Sequence, residues 1–84
     1  MGEIRIHSGY EIIETIKINE IEFVLGKRLK GHQQFVTWIC YNGTDYNLGH
    51  YITRKAQAKI DLYNRARQEI TYRLKAIKEN INEK

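Results

Sequence analysis

The chain has no proline, a single cysteine, and no apolar run approaching the length of a membrane span. Each shortage closes off a class of protein. Without proline there is no stiff extended linker and nothing to kink a helix. Cys40 has no internal partner for a disulfide, which fits a reducing compartment and a cytoplasmic location. Without about 18 consecutive apolar residues, no helix is expected to cross a bilayer, so no membrane partner is expected. Low-complexity segments and internal repeats are also lacking.

Recognisable catalytic chemistry is missing too. The three histidines are scattered at His7, His32 and His50, and no spacing of Cys and His resembles a zinc site. There is no phosphate-cradling glycine loop and no dinucleotide fingerprint. No catalytic residue, metal or cofactor is therefore assigned, and the chain is not expected to be an enzyme.

What remains is a small domain. Eighty-four residues bury only roughly 60–65% of the unfolded surface, which leaves a thin core that a partner can supplement. The whole chain, 1–84, reads as one domain with an N-terminal segment over 1–9, a β-meander over 10–52 and a helix over 53–81. The most informative stretch runs from Phe35 to Ala66. Two strand-like runs, Phe35–Tyr41 and Asp45–Tyr51, flank Asn42-Gly43, the strongest short-range hairpin signal because both turn residues need φ > 0. Upstream, Tyr10–Ile18 alternates as a strand with Ile12, Ile16 and Ile18 on one side. Asn19-Glu20 then reads as a tight turn, and Ile21–Leu25 as a second strand that Gly26 ends. Residues 1–9 either add a short strand or fray.

A two-residue Asn42-Gly43 turn pairs Tyr41 with Thr44, Ile39 with Tyr46, Thr37 with Leu48 and Phe35 with His50. Phe35, Ile39, Tyr46 and Leu48 then join Ile21, Phe23 and Leu25 as the core against the helix. The other face carries Val36, Trp38, Cys40 and Tyr51. It is apolar enough that either the N-terminal segment covers it, or Val36, Trp38 and Tyr51 form a recognition patch.

From Thr53, which suits an N-cap, Ala56, Ile60, Tyr63, Ile70, Leu74, Ile77 and Ile81 recur at helical spacing, with Arg67 interrupting the stripe. A helix from Thr53 to Ile81 would be about 43 Å long at roughly 1.5 Å per residue. The domain should be only about 30 Å across, from an expected radius of gyration of roughly 12 Å. Leu74, Ile77 and Ile81 therefore overhang the sheet and form a candidate association interface, including a homodimer through this helix. The fold predicted is α+β, an antiparallel four-stranded β-meander followed by one long C-terminal α-helix packed across the sheet.

Charge is uneven. Residues 1–26 are acidic, with Glu3, Glu11, Glu14, Glu20 and Glu22 against Arg5 and Lys17. The loop carries Lys27, Arg28 and Lys30, and residues 54–79 hold eight Lys or Arg against three acids. Such polarity steers the chain toward an acidic protein surface or a polyanion. Lys27, Arg28, Lys30, Arg54 and Lys55 are the candidate cations for partner binding, together with Val36, Trp38 and Tyr51.

Two resemblances bear on function. The order of strands and helix over residues 35–66, with Asn42-Gly43, Tyr46–Tyr51 and Thr53–Lys59, resembles the apetala-type DNA-binding domain, which implies a sheet laid in the major groove. In this sequence residues 33–53 contain neither Lys nor Arg, so the guanine contacts that such strands make are lacking. A closer likeness, over about residues 20–70, rests on Glu22–Gly26, Phe35–Trp38 and Leu48–Tyr51. These segments are similar to a group of small uncharacterised proteins of Firmicute bacteria, their phages and plasmids. That likeness implies a mobile-element setting and a non-enzymatic binding role, such as an anti-defence (anti-CRISPR-like) or accessory inhibitor that occludes a larger protein or nucleoprotein. The alternative is a DNA-binding module of the apetala type.

Overall fold

The computed structural model describes residues 4–82, with side chains through residue 79. Five antiparallel strands lie in sequence order: β1 (Ile6–His7), β2 (Tyr10–Ile18), β3 (Ile21–Arg28), β4 (Phe35–Tyr41) and β5 (Asp45–Ile52). One helix, α1 (Lys55–Asn82), follows. The class is α+β, with one strand more than the four predicted. The extra strand is β1, joined to β2 through Ser8 and Gly9, both at positive φ (53° and 84°), the backbone that a two-residue hairpin demands.

Both predicted turns form, but Asn42 and Gly43 (φ 56° and 77°) close a loop that includes Thr44, so the ladder resumes at Tyr41↔Asp45. Cys40 then faces Tyr46 and Ile39 faces Asn47. A bulge follows at Leu48, which adopts φ 55°, and beyond it Thr37 pairs with His50 and Phe35 with Ile52. The predicted pairing was off by one at the turn and by two beyond the bulge. A one-residue slip turns side chains to the other face. Tyr46 therefore lies on the face opposite the helix, and Leu48 is 69% exposed instead of in the core. A second bulge in β2, between Ile12 and Glu14, likewise parts Ile12 from Ile16 and Ile18.

The sheet thus has two buried faces. Toward α1 lie Phe23, Leu25 and Phe35, with Ile16, Ile18, Ile21, Ile39 and Ile52 around them. On the opposite face Tyr10, Val24, Val36, Trp38 and Cys40 pack with Ile12 and Tyr46. The N-terminal segment closes this second face. His7 stacks on Tyr46 at 4.0 Å between ring centroids and meets Trp38 edge-on at 5.1 Å. Arg5 donates to Tyr46 Oη (2.8 Å) and to Glu22 Oε2 (3.0 Å). The hydrogen bond to Glu22 is the main reason its basicity is raised, with burial working against it. Cys40 is fully buried beneath this lid, and burial raises its thiol pKa. Gly26 does not end β3; it lies mid-strand, where a Cβ would stand 3.0 Å from Tyr10 Cβ.

The helix is straight enough to give the molecule extents of 55 × 25 × 22 Å, well beyond the 30 Å anticipated. It opens one residue after Arg54, whose carbonyl accepts from Ala58 N; Thr53 is not the cap, and its carbonyl instead accepts from Gln33 Nε2. The side that packs on the sheet is not the predicted stripe. Ala58, Leu62 and Ala66 are the buried positions, spaced four apart, while Ile60, Tyr63, Ile70, Leu74 and Ile77 are all 45–62% exposed. At 3.6 residues per turn the two sets stand roughly 100° apart around the helix. Small side chains bring the helix axis close to the sheet, and polar contacts rather than large apolar ones fix its rotation.

Candidate functional site

Two chemical constellations emerge when the strands are assembled. The first is internal. Thr37, fully buried on β4, donates its hydroxyl to Asp61 Oδ2 at 2.5 Å, and His50 Nδ1 lies 3.0 Å from the same oxygen. Arg65, one turn further along α1, donates to the Thr37 carbonyl (2.9 Å), to Thr37 Oγ1 (3.1 Å) and to the Leu48 carbonyl (2.7 Å). Burial raises the Asp61 pKa. The hydrogen bonds from Thr37 and His50, with the charges of His50 and Arg65, outweigh it and leave the carboxyl below its ordinary value. Burial likewise lowers the Arg65 pKa, with Asp61 opposing. The Asp61 carboxylate, the Thr37 hydroxyl, His50 Nδ1 and the Arg65 guanidinium are all engaged with one another or with backbone carbonyls of the chain. The network pins the helix to the sheet and holds the bulge at Leu48, a structural task. None of its members was a predicted site residue. The legible signal was Asp61 and Arg65 four apart on the helix face that also carries Ala58, Leu62 and Ala66.

The second constellation is at the surface. Pairing of Lys27 with Phe35 and of Phe35 with Ile52 puts the β3–β4 loop beside the start of α1, and the Gln33–Thr53 hydrogen bond (3.3 Å) joins them. Lys27, Arg28, Lys30, Arg54 and Lys55, separate in sequence, thus gather at one end of the sheet, and all are exposed. Glu11 stands opposite Lys27 across the strands, but among the described residues no carboxylate lies within 4.0 Å of any of the five. Elsewhere on the helix Lys59 pairs with Glu14 and Arg73 with Glu69 and Glu20, while Arg67, Lys75 and Lys78 likewise have no carboxylate within 4.0 Å among the described residues. What sets the basic end apart is that five such cations from two chain segments share it, while Glu20, Glu22 and Asp45 lie toward the other end of the sheet.

Beside these cations an open groove of about 480 Å³ runs between Ser8–Tyr10 and Arg28–Lys30, floored by Gln34. Its walls are fixed by backbone contacts, Leu29 N to the Gly9 carbonyl (3.0 Å) and Arg28 N to the Gln34 carbonyl (2.9 Å), and by Tyr10 Oη donating to Gln34 Oε1 (2.9 Å). Leu29 (49% exposed) and Tyr51 (58%) add apolar surface, with the Tyr51 ring 6.2 Å from that of Tyr10.

Of the aromatic patch expected on the strands, only Tyr51 reaches the surface. Val36 and Trp38 are 0% and 5% exposed, filling the face that Arg5, His7 and Tyr10 cover. Leu74 and Ile77 are exposed beyond the sheet as anticipated, while the side chain of Ile81 lies outside the described residues. Among the described residues no helix is long and apolar enough to cross a membrane. No protein family, curated protein or solved structure matches the chain.

Proposed function

We propose that this chain is a non-enzymatic binding protein whose basic end, Lys27, Arg28, Lys30, Arg54 and Lys55 with Leu29 and Tyr51, docks on an acidic surface of a larger protein or nucleoprotein. The sequence likeness to small mobile-element proteins makes the role that of an accessory or anti-defence inhibitor acting by occlusion. One observation supports this reading above others: five cations from two chain segments gather at one end of the sheet without a carboxylate partner among the described residues, and two of them, Arg28 and Lys30, line a groove with Tyr10 and Leu29. Charges left unpaired speed encounter with an acidic partner, and adjacent apolar side chains give the contact specificity.

The DNA-binding alternative is disfavoured on a specific ground. An apetala-type module reads bases with the sheet face that does not carry the helix, and here Tyr10, Trp38 and Tyr46 fill that face beneath the N-terminal segment. The test is capture of partners from host lysate by immobilised protein, with and without nuclease. A protein retained after nuclease treatment, and lost from the Arg28→Glu/Lys30→Glu variant, supports the proposal. Capture that disappears on nuclease treatment would instead support DNA binding.

A further inference from the structure

The outward stripe of α1 is more regular than an amphipathic helix requires. Ala56, Ile60, Tyr63, Arg67, Ile70, Leu74 and Ile77 follow one another at steps of four, three, four, three, four and three. That is a heptad seam with Ile60, Arg67 and Leu74 at one core position and Ala56, Tyr63, Ile70 and Ile77 at the other. The domain's own sheet leaves most of this seam open: its large residues stay 45–62% exposed, and Tyr63 alone among them reaches the sheet with a side-chain hydrogen bond, donating its hydroxyl to Glu14 Oε2 (2.6 Å). The ion pair from Arg73 to Glu20, at the turn between β2 and β3, marks where the helix passes the end of the sheet. Residues 74–82 continue as helix beyond it. Isolated turns of helix are marginal in water, so an overhang of this length needs a surface to lie on.

We infer that the occupant is a second copy of this chain, packed antiparallel along the seam about a two-fold axis passing between residues 68 and 69. In that register Ile60 meets the partner's Ile77, Tyr63 meets the partner's Leu74, and Arg67 lies over the partner's Ile70. The overhang of each copy then covers the exposed first half of the other's helix, so one register answers both surfaces. Flanking charges decide the direction. Antiparallel pairing sets Lys78 against the partner's Gln57 and Asn64 against the partner's Thr71, with no like charges opposed at these positions. Parallel pairing would instead stack Arg67 on its own copy and set Arg73 against the partner's Lys78, both repulsive. Arg67 is the one polar core residue; its stem lies along the seam while the guanidinium reaches water. The seam and the basic end are separate surfaces, so this inference stands independently of the proposed function.

The experiment is sedimentation equilibrium on the full chain, with Ile60→Cys and Ile77→Cys variants for direction. The wild type sediments as a concentration-dependent dimer. Leu74→Asp, whose site is beyond the sheet, retains the wild-type circular dichroism and melting curve at dilution. It raises the dimer dissociation constant roughly 100-fold or more, because each dimer loses two buried leucines. Arg67→Leu tightens it. Under oxidation, Ile60→Cys and Ile77→Cys cross-link when mixed, and neither does so alone. A strict monomer at hundreds of micromolar, or cross-linking of Ile60→Cys alone, overturns the inference.

Discussion

Arg65 Nη2 lies 2.7 Å from the Leu48 carbonyl, which ties the third turn of the helix to the residue that breaks the register of β5. Leu48 has a positive φ that costs a leucine energy in isolation, and the guanidinium offsets it by holding the carbonyl that this backbone presents. Through its other nitrogen Arg65 bridges to Thr37 on the neighbouring strand, so one side chain fixes the helix rotation and the bulge together.

Arg65→Ala should accordingly lower stability by about 1–3 kcal/mol, the range for losing hydrogen bonds from a charged, half-buried donor. Lysine should not restore it, because one ammonium cannot span three acceptors held in a fixed fork. Urea denaturation of both variants is the check. If Arg65→Lys unfolds at the wild-type midpoint, the fork geometry is irrelevant.

Asp61 makes the stability of this joint depend on pH. Its carboxyl titrates below the ordinary value of 3.8 in the folded chain, so the folded state favours the anion. The stabilisation is complete above the unfolded value and drains away as pH falls through the lower folded one. The wild type should therefore weaken below about pH 4, near the usual range for aspartate. Asp61→Asn should be less stable at neutral pH and lose less on acidification. Parallel denaturation series at pH 7 and pH 3 separate the two; equal losses would show that Asp61 carries none of the acid response.

How much of this was readable beforehand follows from what each element encodes locally. The Asn42-Gly43 hairpin, the Asn19-Glu20 turn and the uninterrupted helix were legible because each rests on a short signal. The basic end was legible as well, since the loop and the helix start are both charge-dense and the chain must bring them near each other. The third loop residue at Thr44 and the bulges at Ile13 and Leu48 were not, because each adds one residue without changing the local composition; the extra loop residue puts Tyr46 on the other face, and the bulge at Ile13 parts Ile12 from Ile16 and Ile18. The helix rotation was hidden for a different reason. Periodicity weighs large apolar residues, whereas the sheet accepts Ala58, Leu62 and Ala66 and leaves the heavier stripe outside.

Trp38 was a candidate for recognition and is instead the centre of the second core. Its ring meets Tyr10 at 5.7 Å, Tyr46 at 5.4 Å and His7 at 5.1 Å, all edge-on, and a Cβ on Gly49 would stand 2.9 Å from its indole nitrogen. Trp38→Ala should cost about 3–5 kcal/mol, enough to leave a domain of this size only partly folded at 37 °C. Trp38→Phe keeps part of the ring contact and should lose less. Thermal melts are the measurement; a Trp38→Ala protein that melts like the wild type but no longer binds its target would return Trp38 to the surface.

Salt dependence tests the character of the basic end. Were the five cations Lys27, Arg28, Lys30, Arg54 and Lys55 to contact phosphates, binding to random duplex DNA would fall with a log–log slope near −4.5, from about 0.9 per neutralised phosphate. A protein surface also responds to salt, but mainly through the association rate, and apolar contact by Leu29 and Tyr51 survives screening. Fluorescence anisotropy with labelled duplex from 20 to 200 mM salt should show only weak binding, with no micromolar complex persisting at the upper end. For the protein target, Arg28→Glu should slow association several-fold at low salt and little at high salt, whereas Tyr51→Ala should speed dissociation at both. If instead Tyr51→Ala leaves the complex unchanged while Arg28→Glu abolishes duplex binding, the basic end serves nucleic acid and the protein-docking proposal fails.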